Sequence, residues 1–479
     1  MTFIPDNITV YFTAGCAISA AMFFIRSKAI NYLLYLPFMA LQVWFTWAQT
    51  CCLYQIEDRY FEADGIAIIF LSVITLLSIL TPFHNYFYAE GRKDSIKEIS
   101  QHNAVFVFFV LMMTGVLISA HIGLMWAFLE ATTLCASLLI FHERSTIALE
   151  ASWKYIFICS IGIAMAFIGI LFLGIASQDA NALNLSLENL GNNTIRMDPN
   201  WLKLSFLFVV TGFSVKMGIM PLFMVDIDAK DAAPSPISAM FSGGLMNVGF
   251  VAIFRFYQLF AHTRIHNWMN HVLMINAVLC ILFAAVYIMR VKNYKRLLAY
   301  SSMEHGGIAL LAVSAGGVGY YAAVLHLVLH SLTKAGLFYQ IGQVKRMFQG
   351  KNFDRVGDYM RLNPWGGSVL LLGFICVIAM PPSGLFISEF MTFKALLDKG
   401  YTYVFIGVVL LLTIVLYGMG RSFMKLLFAP LPEGVTYNKI SPWESISQLV
   451  LLGAVIYMGV HPPEVITEFI KHSVNTLPY

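Results

Sequence analysis

Fourteen stretches of about twenty mostly apolar residues constrain this chain more than any other feature. Twenty residues in a helix span the ~30 Å hydrocarbon core of a bilayer. Inside lipid no water satisfies backbone N–H and C=O groups, so each stretch has to close its hydrogen bonds internally, as a helix. The runs fall at about 8–25, 30–52, 64–83, 103–120, 122–141, 155–177, 202–222, 235–260, 271–289, 297–315, 319–343, 366–395, 402–420 and 446–461. Composition agrees, with 59% of residues apolar and 12% charged, outside the soluble globular range. The expected fold is an all-α polytopic membrane protein, a single membrane domain over 1–479 with about fourteen transmembrane helices.

The first run lacks a basic leader and a small-residue cleavage site, which makes it a retained helix and not a signal peptide. All seven cysteines, Cys16, Cys51, Cys52, Cys135, Cys159, Cys280 and Cys376, sit in apolar runs without CxxC spacing. That pattern speaks against iron–sulfur, zinc and disulfide frameworks. No glycine-rich nucleotide loop follows a strand pattern either, so no catalytic cofactor is expected here and redox chemistry belongs to a partner. Positive charge marks the cytoplasmic side of membrane proteins. With the amino terminus outside, twenty of the thirty Lys and Arg residues fall in cytoplasmic loops, among them Arg92, Lys93, Lys292, Lys295, Arg296, Lys345, Arg346, Lys351 and Arg361. Six, Arg59, Arg196, Lys203, Arg264, Lys399 and Lys471, fall opposite, which puts both termini outside. The net charge of +4 thus reflects orientation, and no basic face with interleaved aromatics points to nucleic acid. Trp201, Trp268 and Trp365 near run ends fit interfacial belts.

Internal spacing suggests a duplication. Glu130 and Lys216 are 86 residues apart and Glu304 and Glu389 are 85, each pair starting on the second helix of a five-helix block. Five is odd, so the blocks would run in opposite senses, as in inverted-repeat transporters. The expected divisions are an N-terminal three-helix segment at 1–100 and a first half-channel repeat at 101–260, helices four to eight. A second repeat at 268–425, helices nine to thirteen, precedes the last helix and tail at 440–479. Pro221 in KMGIMP and Pro381-Pro382 with Gly384 break helices seven and twelve, since proline removes a donor and clashes with the preceding turn. Discontinuous helices in corresponding halves point to an ion site.

Glu130, Lys216, His326, His330, Lys334 and Glu389 lie inside apolar runs, where a charge costs at least ~2.5 kcal/mol. His326, His330 and Lys334 in HLVLHSLTK recur every four residues and form one stripe, each step rising ~6 Å. Such steps suit transfer through bridging waters, and histidine donates and accepts near neutral pH. Lys216 and Glu130 read as a coupled pair, because burial and opposite charge act in contrary senses on proton affinity. Glu389 is the terminal group of the second half, with Glu304 and His305 between the halves. Arg255 and Lys394 lie nearer helix ends, where snorkelling is the default.

Four segments carry a further signal: ALEASWKYIFICSIGIAMAFIG at 148–169, LLAYSSMEHGGIALL at 297–311, HLVLHSLTKAGLF at 326–338 and PPSGLFISEF at 381–390. In this order they resemble the antiporter-like proton-pumping subunits shared by respiratory complex I, Mrp antiporters and membrane-bound hydrogenases. The EH after YSSM, the EASWKY segment and SGGLMN before Arg255 look most like component F of hydrogenase-4. The resemblance implies a fourteen-helix fold with two inverted five-helix repeats, broken helices seven and twelve, and a central hydrophilic axis. By motif position it implies that Glu130 in WAFLEATTL is the essential fifth-helix glutamate and Lys216 the seventh-helix lysine. His326, His330 and Lys334 match the eleventh-helix set and Glu389 the twelfth-helix glutamate. After Lys216 the family reads close to PLHxWLPDAHxEAPxPxSA, whereas this chain has PLFMVDIDAKDAAPSPISA. Phe223 and Lys230 stand where the family has histidines, while Asp228 and the prolines around Ser235 are kept. The departure bears on the cytoplasmic approach to the first half-channel. No long lateral helix is expected after the fourteenth run.

The resemblance implies a proton-translocating, non-redox subunit of a hydrogenase-4-like or complex I-like pump in a bacterial or archaeal cytoplasmic membrane. Implied partners are other antiporter-like and small membrane subunits and a soluble redox arm with iron–sulfur clusters; the ions are protons, with Na+ the other candidate. The alternatives are a subunit of a multi-subunit Mrp-type cation/proton antiporter, and a structural subunit whose altered Phe223 to Lys230 stretch closes the path.

Overall fold

A computed structural model of the chain describes residues 7–51, 53, 60–92, 94–179, 184–475 and 477–478; Cys52, Arg59 and Lys93 lie outside the described residues. The helices in order are α1 (Asn7–Phe24), α2 (Lys28–Leu33), α3 (Tyr35–Cys51), α4 (Gly65–Arg92), α5 (Ile96–Leu117), α6 (Ile122–Phe141), α7 (Thr146–Asp179) and α8 (Leu187–Asn193). They continue as α9 (Pro199–Met217), α10 (Met224–Ala232), α11 (Ser235–Met240), α12 (Met246–Phe260), α13 (His266–Ile288), α14 (Tyr294–Ala315) and α15 (Val318–Phe348). The last six are α16 (Tyr359–Leu362), α17 (Pro364–Val377), α18 (Gly384–Asp398), α19 (Thr402–Phe428), α20 (Ile446–Val460) and α21 (Glu464–Val474). Extended pairing among the described residues is limited to isolated bridges such as Asn293 with Asn352.

Eleven helices among the described residues are long and apolar enough to cross a membrane. The expected runs outside that set are α9, α14 and the interrupted pair α17 and α18, all of them helical. These are the segments that carry Lys216, Glu304, His305 and Glu389, so the apolar signal is weakest where ionisable residues and breaks interrupt it.

Both expected breaks are present. α9 stops at Met217, Gly218 turns left-handed at φ 72°, and the helix resumes as α10 at Met224. Backbone groups freed in the gap find partners on α13: the Met220 N–H points at Cys280 Sγ (3.2 Å) and its carbonyl accepts from Asn276 Nδ2 (2.8 Å). α17 ends with Ala379 left-handed at φ 50°. There Met380 N–H bonds Ile375 O and Ala379 N–H bonds Cys376 O, the paired arrangement that closes a helix C-terminus. In a continuous helix the carbonyl of Val377 would accept from residue 381, which is a proline and has no N–H to give. A five-residue π-turn, Phe241–Leu245, joins α11 to α12.

α15 is buried along most of its length, with α4, α11, α14, α17, α18 and α20 packed around it. α7 instead exposes Trp153, Phe157 and Ile161, whose spacing of four makes an apolar stripe suited to lipid or a neighbouring subunit. Arg255 departs from expectation: it does not snorkel but grips Asp64 through two bonds, 2.5 and 2.7 Å, while Asp64 caps the first turn of α4 through Ala67 N–H. A bidentate carboxylate within reach outcompetes the interface for a guanidinium.

Beyond the spans, charges tie helix ends together. Asp94 pairs with Arg92 (2.6 Å) and His142 (3.0 Å), and Glu143 takes a bond from the Tyr88 hydroxyl and pairs with Lys345 (3.1 Å). Burial raises the pKa of Glu143, but Lys345, the Tyr88 hydroxyl and Lys295 outweigh it and hold the carboxyl down at about 2. A lowered carboxyl pKa adds stability above the ordinary value of 4.5, which is lost as pH falls toward about 2. Glu143→Gln is therefore expected to cost about 1.5–3 kcal/mol at neutral pH and to flatten the acid limb of thermal unfolding measured in detergent. Superposable transitions of mutant and wild type at pH 7 would remove this role.

Candidate functional site

Lys216 sits at the last turn of α9, buried against α6 and α7. Its ammonium donates to the hydroxyls of Thr132 (3.0 Å) and Thr133 (2.7 Å) and lies 5.6 Å from the centre of the Tyr155 ring. Glu130, one helical step from Thr133, accepts from that hydroxyl (3.4 Å) and from Ser160 (3.1 Å). The expected pair is thus joined through a hydroxyl, with no ion pair between the two among the described residues. A hydroxyl that accepts from an ammonium and donates to a carboxylate can pass a proton between them. The close fit depends on Gly249 of α12, where a Cβ would stand 2.7 Å from the carbonyl carbon of Lys216.

The departing stretch after Lys216 holds a pair that sequence reasoning missed. Lys230 Nζ meets Asp226 Oδ2 at 2.6 Å, both buried on α10. The separation of four residues in DIDAK was the available signal, since it sets two side chains on one helix face. Asp226 lies within electrostatic reach of Tyr155, and Lys230 within reach of His330 and Lys334, so the pair sits between the two groups of ionisable residues. Toward the helix ends, Arg296 bonds Asp228 and Asp231 (3.1 Å to the latter), and Lys351 reaches Asp231 at 3.4 Å. Lys295 donates to Ala233 O at 2.5 Å.

The second group gathers on α14, α15 and α18, and Glu304, His305, His326, His330, Lys334 and Glu389 are all buried. Lys334 donates to Leu298 O at 3.0 Å and shares electrostatic reach with Glu304. His305 Nδ1 and His326 Nε2 lie 3.0 Å apart, His305 Nε2 meets Val377 O at 3.0 Å, and His326 Nδ1 meets Ser388 Oγ at 2.9 Å. The His330 ring centre is 5.0 Å from that of His305. His326, at one end of the stripe on α15, is thus hydrogen-bonded to His305 of α14, while neither ring nitrogen of His330 has a hydrogen-bond partner among the described residues. Ligating atoms of His305, His326 and Glu389 all fall within 4.8 Å of one another. Both nitrogens of both rings have hydrogen-bond partners, so the cluster forms a continuous chain of polar groups. Thr132, Thr133, Ser160, Ser388 and the Val377 carbonyl have no sequence signature and become visible only in the fold.

The family model described as "NADH:quinone oxidoreductase/Mrp antiporter, TM" matches residues 119–416. A hydrogenase-4 component F homolog of Methylacidiphilum infernorum is 30% identical over 344 residues, 70% of this chain and 72% of that protein. Among solved structures, a chain of an archaeal respiratory membrane complex, the membrane-bound sulfane sulfur reductase, superposes with a TM-score of 0.85 at 22% identity, over 98% of this chain and 99% of its own. A chain of respiratory complex I from Thermus thermophilus gives 0.79 at 17% identity, over 96% and 98%.

Gly249→Ala is expected to lower stability by about 1–3 kcal/mol, the usual cost of overpacking, read as an earlier thermal transition of the detergent-solubilised protein. An unchanged transition would show that α12 has room to spare beside Lys216.

Proposed function

This chain belongs to the NADH:quinone oxidoreductase/Mrp antiporter transmembrane family, and we propose that it moves protons along its buried row as an antiporter-like subunit of a hydrogenase-4-like or complex I-like pump. The observation that carries this reading is two hydrogen-bonded chains of ionisable and hydroxyl groups inside the helix bundle, Glu130–Thr133–Lys216 across α6 and α9 and His305–His326–Ser388 across α14, α15 and α18. Glu130, Thr133 and Lys216 serve the first half, and Glu304, His305, His326, His330, Lys334 and Glu389 the second. The Asp226–Lys230 pair stands where the altered stretch meets the axis, so that stretch relays rather than blocks. Both termini face outside, as the twenty-to-six loop bias supports. The two halves are inverted repeats at 101–260 and 268–425 within fourteen helices. The membrane is a prokaryotic cytoplasmic one, and the partners are sister membrane subunits and a soluble arm with iron–sulfur clusters.

Moving one charge against ~150 mV costs about 3.5 kcal/mol, at ~2.3 kcal/mol per 100 mV. No group in this chain supplies that by chemistry, so the drive has to arrive from neighbouring subunits. Lys216→Ala is expected to abolish proton uptake by proteoliposomes holding the whole complex while assembly persists. Thr133→Val should slow uptake about tenfold or more, the effect of losing a hydrogen bond to a charge. Wild-type uptake by Lys216→Ala would overturn the reading, and Na+-dependent uptake needing no redox partner would move the chain to the cation antiporter class.

A further inference from the structure

We propose that His305, His326 and Ser388 form a store for one proton, and that the direction of the Ser388 hydroxyl sets whether the histidine pair is charged. The inference rests on the reading of this cluster as part of a proton path. Four hydrogen bonds run in series: Ser388 Oγ to Leu385 O (2.9 Å), Ser388 Oγ to His326 Nδ1 (2.9 Å), His326 Nε2 to His305 Nδ1 (3.0 Å) and His305 Nε2 to Val377 O (3.0 Å). Both ends are backbone carbonyls, which only accept. Four bonds need four protons, whereas one hydroxyl and two neutral imidazoles bring three. The fully bonded chain therefore holds one proton beyond the neutral count, and one ring is an imidazolium.

A neutral pair has to give up one bond, and the two ends differ in what that costs. At the His305 end the carbonyl of Val377 is passed over by the closing bonds of α17 and residue 381 is a proline with no N–H to offer it, so losing His305 strands a buried acceptor. At the Ser388 end Leu385 lies inside α18, whose own Glu389 N–H serves that carbonyl. The hydroxyl is thus the part that switches. Turned to Leu385 O it accepts from a charged pair, and turned to His326 Nδ1 it donates to a neutral one.

A buried charge is tolerated when paired, and Glu389 is beside Ser388 in sequence, with an oxygen within 4.8 Å of one nitrogen of each ring. Charging the pair takes the proton from the Glu389 carboxyl: its O–H breaks, an imidazole N–H forms, and carboxylate and imidazolium are left facing each other. The other groups near the cluster are His330 and Lys334 on α15, both within reach of His305, Glu304 on α14, within reach of Glu389, and Lys230 on α10, within reach of His330. Ser388 and Val377 position the proton and do not carry it.

The test is nitrogen-15 NMR of the full-length chain with labelled histidine, in detergent or lipid at pH about 8, where an ordinary histidine of pKa ~6.5 is neutral. Of the twelve histidines, one is expected to give an imidazolium signal that disappears in Ser388→Ala, which leaves two bonds that two neutral rings satisfy. Glu389→Gln, which removes the counter-charge, should lose the same signal and covers the case in which Ser388→Ala does not fold. Asp94→Asn, which acts on the separate His142 pair, should leave it in place. A wild-type spectrum without an imidazolium that responds to Ser388→Ala or Glu389→Gln overturns the store. Proton uptake by the assembled complex decides the path separately: uptake without the signal removes the store alone, and the signal without uptake removes the path alone.

Discussion

The structure depends on one constraint, that a backbone polar group within lipid has no water to turn to. Continuous helices meet it trivially. Where a helix stops inside the bundle, the constraint becomes constructive, because each freed group has to be matched by a side chain from elsewhere. Asn276 and Cys280 do this for the gap after α9, and His305 does it for the gap after α17. Polar side chains are thereby fixed in orientation by the breaks, which is how two interrupted helices come to organise a site instead of weakening the fold.

The buried lysines share a second property. Lys216 rests on two threonine hydroxyls, Lys334 on the carbonyl of Leu298 and Lys295 on the carbonyl of Ala233. Neutral oxygens hold an ammonium in place without locking it into a permanent ion pair. A hydroxyl can also reverse its role and donate to a neutral amine, so Lys216 keeps its partners in either state. Lys230 is the exception, bound to Asp226 at 2.6 Å, and it lies between the two groups instead of within either.

The helical fold and the identities of the ionisable residues were legible because both follow from local rules. Apolar length announces helices, and a charge amid apolar residues announces itself. α9, α14 and the pair α17 and α18 were read as helices from their apolar runs although ionisable residues or breaks interrupt those runs. The links between the charges were not legible. Thr133 and Ser388 are unremarkable in sequence, and they matter because Lys216 of α9 reaches α6 and His326 of α15 reaches α18. The stripe on α15 was seen, yet the bond from His326 to His305, 21 residues before it and on another helix, was not. Arg255 was misjudged for the same reason, since Asp64 is 191 residues away in the chain. Asp226 and Lys230 could have been found, because their spacing is local.

The left-open carbonyl at Val377 has a consequence for how this chain can change over generations. Pro381 is useful only because it declines to donate, and His305 is anchored only because that refusal leaves an acceptor free. A mutation from proline to alanine would add an N–H near that acceptor, a rival for the carbonyl that anchors an imidazole on a different helix. Losing the histidine first would leave the proline guarding nothing. Each residue thus gives the other its use, so what can stand at one position is limited by what stands at the other.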